Sequence, residues 1–183
     1  MKYVAFLKGI NVGGKNVVKM NLLRDFFTTL GFTNIQTYIQ SGNVIFNTED
    51  NRTDIISKIN ESFPLHFDFC CDVIIRNYKE MQNIINSLPF TEEQISLATK
   101  INPEIEHLYV YLTETNLNIE GINLSLASYD GNDLYEIKNN EIYLLFNQGI
   151  RESKLVRLLS KMKIPFTARN FNTMKTILEI MKQ

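Results

Sequence analysis

The segment "NIQTYIQSGNVIFN", residues 34–47, carries the strongest indication of the chain's architecture. Two runs rich in β-branched and aromatic residues flank Ser-Gly-Asn, which is the composition of a hairpin turn. A helical pattern precedes this hairpin and another follows it. The hairpin therefore extends a simple strand–helix–strand unit to the order βαββαβ through residue 76.

The elements around the hairpin follow from apolar periodicity and from start and stop signals. The run "YVAFLKGI" predicts a first strand that is apolar, and so covered, on both faces. Asn21 is the expected cap of the first helix, and Gly31 is its left-handed stop. The remaining predictions are a helix over 52–62 that ends before Pro64, a strand "DFCCDVII" and a helix over 77–87.

The second half repeats this order. Residues 89–106 contain two prolines and predict a linking segment with a short helix near 92–99. Beyond them "DLYEIK" and "EIYLLF" predict a hairpin around Asn139 and Asn140. The other expected elements are a strand "HLYVYL", helices over 116–127, 153–161 and 171–182, and a short extended "IPF". We expect an α+β protein with two ferredoxin-like halves, 1–88 and 107–183, each an antiparallel sheet with helices packed on it.

Composition limits the class of protein. The chain has 183 residues and 44% hydrophobic residues, enough for a substantial core. It has no run of 18 apolar residues and no pattern of a signal peptide at its N-terminus. The expectation is a cytoplasmic protein without a membrane partner, and the sequence does not specify its oligomeric state.

Cysteine and histidine usage gives no metal-binding pattern. Cys70 and Cys71 are adjacent within an apolar run, which suits neither a disulfide framework nor a metal clamp. We expect them to be buried, inert thiols. His66 and His107 stand far apart without a metal-site motif. We therefore expect no metal and no cofactor.

Charge is distributed unevenly along the chain. Residues 1–24 contain five basic residues and no acid, and residues 148–183 contain eight basic residues and two acids. Residues 25–147 consequently have a net charge of −12. Basic ends of this kind can form an anion-facing surface, or they can be solvated helix faces, and both interpretations stay open.

The first strand is followed by a glycine loop, "GINVGGKN", residues 9–16. Gly9, Gly14 and Lys15 have the spacing of a phosphate-binding P-loop, but Asn16 replaces the hydroxyl residue that would hold magnesium. Nucleotide hydrolysis here is disfavoured. Weak anion binding by exposed amides at Gly13 and Gly14 with Lys15 and Lys19 is one alternative, and a simple tight turn is the other.

Topology places further polar residues beside this loop. In a ferredoxin-like sheet the loop after strand one and the hairpin after strand two lie on the same edge, about 10 Å apart. Polar side chains would then surround the glycines. The candidate anion-binding residues at this edge are Asn11, Gly13, Gly14, Lys15, Asn16, Lys19, Ser41 and Asn43. Asx and ST turns offer a purely structural explanation for the same residues.

A second candidate anion site is expected in the second half, where loops 147–153 and 167–171 should share an edge. We expect Arg151, Lys154 and Arg169 to converge there. Asn170 or Thr167 should cap the final helix. The alternative is that Arg169 docks this helix by pairing with an acid.

The segments "FLKGINVGGKN", "MNLLRDFFTTLGFTNIQTYIQSGNVIF", "GIRESKL" and "TARNFNTMKTILEI" closely resemble a bacterial family of unknown function, the domain-of-unknown-function 1697 family. The resemblance spans nearly the whole chain and implies a cytoplasmic α+β protein. It implies no activity and no catalytic residue. Lys8, Phe171 and Asn147-Gln148 stand where arginine, tryptophan and proline-aspartate are common in that family.

Three classes of function fit these observations. The favoured one is a binding module for an anionic, phosphate-bearing small molecule, because the acidic centre would repel a nucleic acid. RNA binding is the less favoured form of that hypothesis. The first alternative is an enzyme acting on a nucleotide or sugar phosphate, disfavoured because Ser41 and Ser153 have no nearby histidine in the sequence. The other alternative is a structural or interaction protein.

Overall fold

The computed structural model describes residues 1–183 and contains two four-stranded antiparallel sheets and seven helices. The expected α+β class with two ferredoxin-like halves is confirmed. By their internal contacts the residues divide into unit 1, Met1–Asn83 with Lys175–Gln183, and unit 2, Ile84–Met174. None of the helices combines the length and the apolar character that crossing a membrane requires.

The elements through residue 86 are β1 (Lys2–Leu7), α1 (Met20–Thr29), β2 (Thr33–Tyr38), β3 (Asn43–Asn47), α2 (Arg52–Phe67), β4 (Val73–Asn77) and α3 (Tyr78–Asn86). The first sheet has the order β2-β3-β1-β4. Its core lies between the sheet and helices α1 and α2, where a cluster of phenylalanine rings packs edge to face around Phe26. Both faces of β1 are buried, as its sequence predicted.

The elements after residue 86 are α4 (Glu92–Ile101), β5 (Leu108–Leu112), α5 (Ile119–Leu126), β6 (Leu134–Lys138), β7 (Glu141–Leu145), α6 (Lys154–Lys161), β8 (Thr167–Asn170) and α7 (Phe171–Lys182). The second sheet has the equivalent order β6-β7-β5-β8, and its core lies against helices α5 and α6. The hairpin at Asn139 and Asn140 is confirmed, with Asn139 at a φ of 54°.

Two helix boundaries in unit 1 differ from the sequence prediction. Helix α1 is preceded by Lys19 as the N-cap residue, not by Asn21, and no side chain caps it. Helix α2 continues through Pro64 to Phe67 and ends at Asp68 in the left-handed conformation. Continuation places His66 and Phe67 against the Phe26 ring, and this aromatic packing offsets the backbone hydrogen bond that proline cannot make.

Two strand predictions were also wrong in part. Strand β4 begins only at Val73, so Cys70 and Cys71 precede it; Cys70 is exposed and Cys71 is half-buried. In unit 2 the final strand is "TARN" itself, and the preceding "IPF" is not part of it. Strand β8 pairs with β5 through Leu112↔Thr167 and Val110↔Arg169. The segment 167–171 that was expected to be a loop is therefore mostly strand.

Candidate functional site

The glycine loop is a small hairpin at one edge of the first sheet. Val12 and Lys15 form a bridge, and the Lys15 amide donates to the Val12 carbonyl at 3.1 Å. Gly13 and Gly14 lie between them with φ angles of 59° and 75°, and a Cβ at either would meet no atom within 4 Å. Glycine is thus favoured at both positions because the two-residue turn needs a left-handed backbone, and not because neighbouring atoms leave no room for a side chain.

Asn11 fastens this hairpin to its surroundings. Its side-chain amide donates to the Val18 carbonyl at 3.0 Å and to the Gln40 carbonyl at 2.8 Å, while its Oδ1 accepts from the Val18 amide at 2.8 Å. Asn16 makes a further bond from its side chain to the Gly9 carbonyl. Both asparagines adopt positive φ angles, a conformation that asparagine tolerates better than most residues.

The hairpin between β2 and β3 lies directly beside the glycine loop, as the topology predicted. The contact is closer than the expected 10 Å, because the Asn11 side-chain amide donates to the Gln40 carbonyl at 2.8 Å. Asn43 is fully buried, and its side chain donates to Tyr38 O and to Ser41 Oγ. The structure thus brings these candidate residues together, and the Asn43 amide is used to hold the hairpin turn.

The cationic groups at this edge are Lys8, Lys15 and Lys19. The Lys8 ammonium lies 3.3 Å from an Asp72 carboxylate oxygen. The side chains of Lys15 and Lys19 are exposed and form no ion pair. Lys19 is also the N-cap residue of α1, whose first turn contains no acidic residue. The edge therefore presents positive charge next to the positive end of a helix dipole.

The second candidate site, at the start of α6, presents both positive and negative charge. Lys154 begins α6, and its ammonium lies 3.2 Å from Asp130. It borders an open hollow of about 380 Å³ that three acidic residues also line, namely Asp130, Asp133 and Glu152. Neither Arg151 nor Arg169 lines this hollow. Its mixed charge favours an anion less than the glycine-loop edge does.

Arg169 is a buried residue and not a loop residue. It lies in β8 with 7% of its surface exposed, and its guanidinium donates to Thr167 Oγ1 at 2.9 Å and to the Ala168 carbonyl at 2.8 Å. Burial lowers the pKa of Arg169 to about 10. The neighbouring Asn170 accepts from the Thr173 amide at 2.7 Å, which is the capping contact that the sequence predicted for the final helix.

Ser153 is held by a carboxylate that the sequence analysis did not single out. Its hydroxyl donates to Asp133 at 2.6 Å and accepts from the Val156 amide, so that it caps α6. The same Asp133 accepts from the Asn147 amide, and its own amide donates to the Tyr129 hydroxyl. The Ser153 hydroxyl is thus engaged both as a donor and as an acceptor, and it joins the 129–133 turn to α6. The twenty residues that separate Ser153 from Asp133 left no local signal of this pair.

No group of three or more His, Cys, Asp or Glu side chains is placed to hold a metal ion. His107, one of the two histidines, is buried, and its ring nitrogens contact the carbonyls of Phe146 and Asn102. Its role in the structure is to tie the start of β5 to neighbouring backbone.

Comparison with known proteins settles the family. The model of a family described as "Protein of unknown function (DUF1697)" matches residues 1–143. The chain belongs to this family. No curated protein matches the sequence. Among solved structures, the conserved bacterial protein SP0830 from Streptococcus pneumoniae is similar over 100% of this chain and 98% of its own, with a TM-score of 0.75 and 22% identity. At this identity the likeness shows a shared fold.

Proposed function

We propose that this member of the DUF1697 family is a binding module for a phosphate-bearing small molecule, which it holds at the glycine-loop edge. The observation that carries the proposal is the uncapped start of α1. The backbone amides of Met20, Asn21 and Leu22 donate to no atom of the chain. Unpaired amides at a helix N-terminus are the usual protein donors to phosphate oxygens.

Three features of the surroundings support an anionic ligand there. Lys19 lies at the N-cap position, and the exposed Lys15 belongs to the adjoining hairpin. Helices α2, α4, α5 and α6 are each capped by a side chain, and α1 is not. The Asn11 bonds fix the loop in position, which reduces the entropy lost when a ligand is bound.

A small ligand fits these features better than a nucleic acid does. The donors are limited to one helix terminus and one short hairpin, and residues 25–147 have a net charge of −12. An extended polyanion would bring many phosphates near this acidic region, whereas a single phosphate group would contact only the basic edge.

The proposal can be tested by titrating inorganic phosphate and adenosine monophosphate into ¹⁵N-labelled protein. Saturable shifts of the Met20, Asn21 and Leu22 amide signals are expected, because those amides would donate to the phosphate. The double variant Lys15→Ala/Lys19→Ala should bind about tenfold more weakly, equivalent to roughly 1.4 kcal/mol for two nearby charges. The matched control is Lys100→Ala, an exposed lysine of α4 in the other unit. Shifts that do not saturate, or that are equally weakened by the control, would reject the site.

A protein-interaction function at the same edge is the second candidate, because the edge also exposes β-branched apolar side chains. Val12, Val17 and Ile39 have 65%, 69% and 49% of their surface exposed. Ile39 combines this exposure with a φ of 49°, which is unfavourable for a β-branched residue. Replacing Val12 and Val17 with serine would leave phosphate-induced shifts unchanged under the first function, and would abolish partner binding under the second.

A further inference from the structure

We infer that two copies of this chain associate through β6, which pairs with its counterpart in antiparallel orientation around a twofold axis at Ile137. The second sheet of each copy would then continue into that of the other. This interface lies in unit 2 and is independent of the ligand site proposed for the glycine-loop edge.

The first observation is that β6 is an edge strand with unpaired backbone groups. It is hydrogen-bonded on one side to β7, and the pair Lys138↔Glu141 closes the two-residue turn between them. In such a hairpin the closing pair is hydrogen-bonded, and the bonding alternates along the strand. The backbone groups of Tyr135 and Ile137 consequently point away from β7, and they have no partner in the chain.

The other strands at the sheet edges are less suited to pairing. Strand β2 has a register shift between Thr33 and Gln36, with Asn34 at a φ of 51°. Such irregularities disturb the row of donors and acceptors that a new strand requires. Strand β4 is buried from Val73 to Arg76, and the four-residue β8 has Thr167 and Arg169 buried. Strand β6, in contrast, is regular and has no fully buried residue.

Charge complementarity selects a second copy as the partner and also sets the register. With the axis at Ile137, the two Ile137 residues exchange both backbone bonds, as an antiparallel hydrogen-bonded pair requires. Glu136 of each copy then lies opposite Lys138 of the other, which gives two pairs of opposite charge on one face. An axis at Tyr135 would also satisfy the backbone, but it would place Glu136 opposite Leu134. The sequence of β6 is thus complementary to itself in one register.

A groove beside β6 offers room for the rest of the partner strand. This groove of about 320 Å³ is lined by Leu134, Tyr135 and Glu136 of β6 and by Pro89 and Phe90 of the connection between α3 and α4. In the proposed register Tyr135 lies opposite Asn139 of the other copy. The Asn139–Asn140 turn of that copy would therefore reach the groove, where Leu134 has 38% of its surface exposed.

The test uses the full chain in sedimentation velocity over a series of concentrations. The wild type should show a reversible dimer. Glu136→Lys places lysines opposite each other, and Lys138→Glu places glutamates opposite each other, so each variant alone should dimerise at least about tenfold more weakly. An equimolar mixture of the two variants should dimerise again, because every opposing pair then has opposite charges. Glu61→Lys, an exposed glutamate of α2, is the matched control and should behave as the wild type.

A second measurement does not depend on Lys138→Glu, which also places a glutamate opposite Glu141 within the hairpin and could unfold it. Amide hydrogen exchange at Ile137 should be slow in the wild-type dimer and fast in Glu136→Lys, while exchange at residues of β7 stays unchanged. A monomeric wild type at all concentrations, a dimer insensitive to Glu136→Lys, or a fast-exchanging Ile137 amide in the dimer would each overturn the inference.

Discussion

The side-chain amide of Asn11 donates to the main-chain carbonyl of Gln40 at 2.8 Å, which joins the loop after β1 to the hairpin after β2. The two residues are 29 positions apart in the chain. Since Asn11 also makes two bonds to Val18, one side chain connects three segments of the proposed ligand-binding edge.

Asn11→Ala should lower the free energy of unfolding by about 2–3 kcal/mol, because three hydrogen bonds of about 1 kcal/mol each are lost. Urea denaturation measures this change. Asn11→Gly removes the same bonds but accommodates the φ of 54°, so it should be less destabilising than alanine. Asn16→Ala, which loses a single side-chain bond, is the control. An effect of Asn11→Ala no larger than that of Asn16→Ala would contradict the connecting role.

Gly42→Ala should destabilise unit 1 by about 2–5 kcal/mol, the sum of left-handed strain and overpacking. Its added Cβ would lie 2.9 Å from Ile10 side-chain atoms and 3.0 Å from the Leu7 Cβ, at a φ of 73°. Gly13→Ala is the control, because it shares the positive φ but meets no atom within 4 Å, and should cost only about 1 kcal/mol. Similar midpoints of thermal unfolding for the two variants would show that the close contact is unimportant.

Pro64→Ala should raise the free energy of unfolding by about 1–2 kcal/mol, because alanine restores a helical hydrogen bond within α2. The gain is smaller than the full cost of a helical proline, since proline also restricts the unfolded chain. Leu65→Ala is the control in the same turn, where 82% of the leucine is exposed, and it should change stability by less than about 0.5 kcal/mol. Destabilisation by Pro64→Ala would mean that the proline shapes the helix for packing.

The two adjacent cysteines should differ in reactivity toward iodoacetamide at pH 8. Burial raises the pKa of the Cys71 thiol to about 12, with smaller contributions from Asp72 and Cys70, whereas Cys70 is exposed. Alkylation proceeds through the thiolate, so Cys70 should be modified first. Mass spectrometry of timed samples measures the order, with Cys70→Ser and Cys71→Ser to assign it. Equal rates at the two thiols would show that Cys71 is accessible.

Stability should fall as the pH rises above about 9. Burial raises the pKa of Cys71 and of Tyr111 to about 12 in the folded state. In the unfolded chain both groups ionise at lower pH. Between about pH 9 and about pH 12 the folded state therefore binds more protons than the unfolded state, and each rise in pH favours unfolding. Urea midpoints between pH 8 and pH 11 test this, and Tyr111→Phe should reduce the slope. If the urea midpoint of Tyr111→Phe depended on pH as steeply as that of the wild type, Tyr111 would not contribute to the loss of stability.

Much of the fold follows from local sequence patterns. Alternating apolar residues, helical stripes and the turn sequences at residues 41–43 and 139–140 determine the order of strands and helices, because each depends on side chains within a few positions of one another. The antiparallel sheet orders then follow from the short connections available to such elements. The nearness of the glycine loop to the β2–β3 hairpin could be predicted for the same reason.

Other features depend on contacts between residues that are distant in sequence, and these could not be predicted from local patterns. Helix α2 continues through Pro64 because aromatic rings of α1 pack against its last turn. Arg169 lies in a strand and not in a loop because β5 pairs with "TARN". The Ser153 hydroxyl donates to Asp133, which is twenty residues away in the chain. The start of α1 is uncapped because the helix begins after Lys19, whose side chain has no acceptor, and not after Asn21. Local propensities amount to fractions of a kcal/mol per residue, so packing and long-range pairing override them wherever the two conflict.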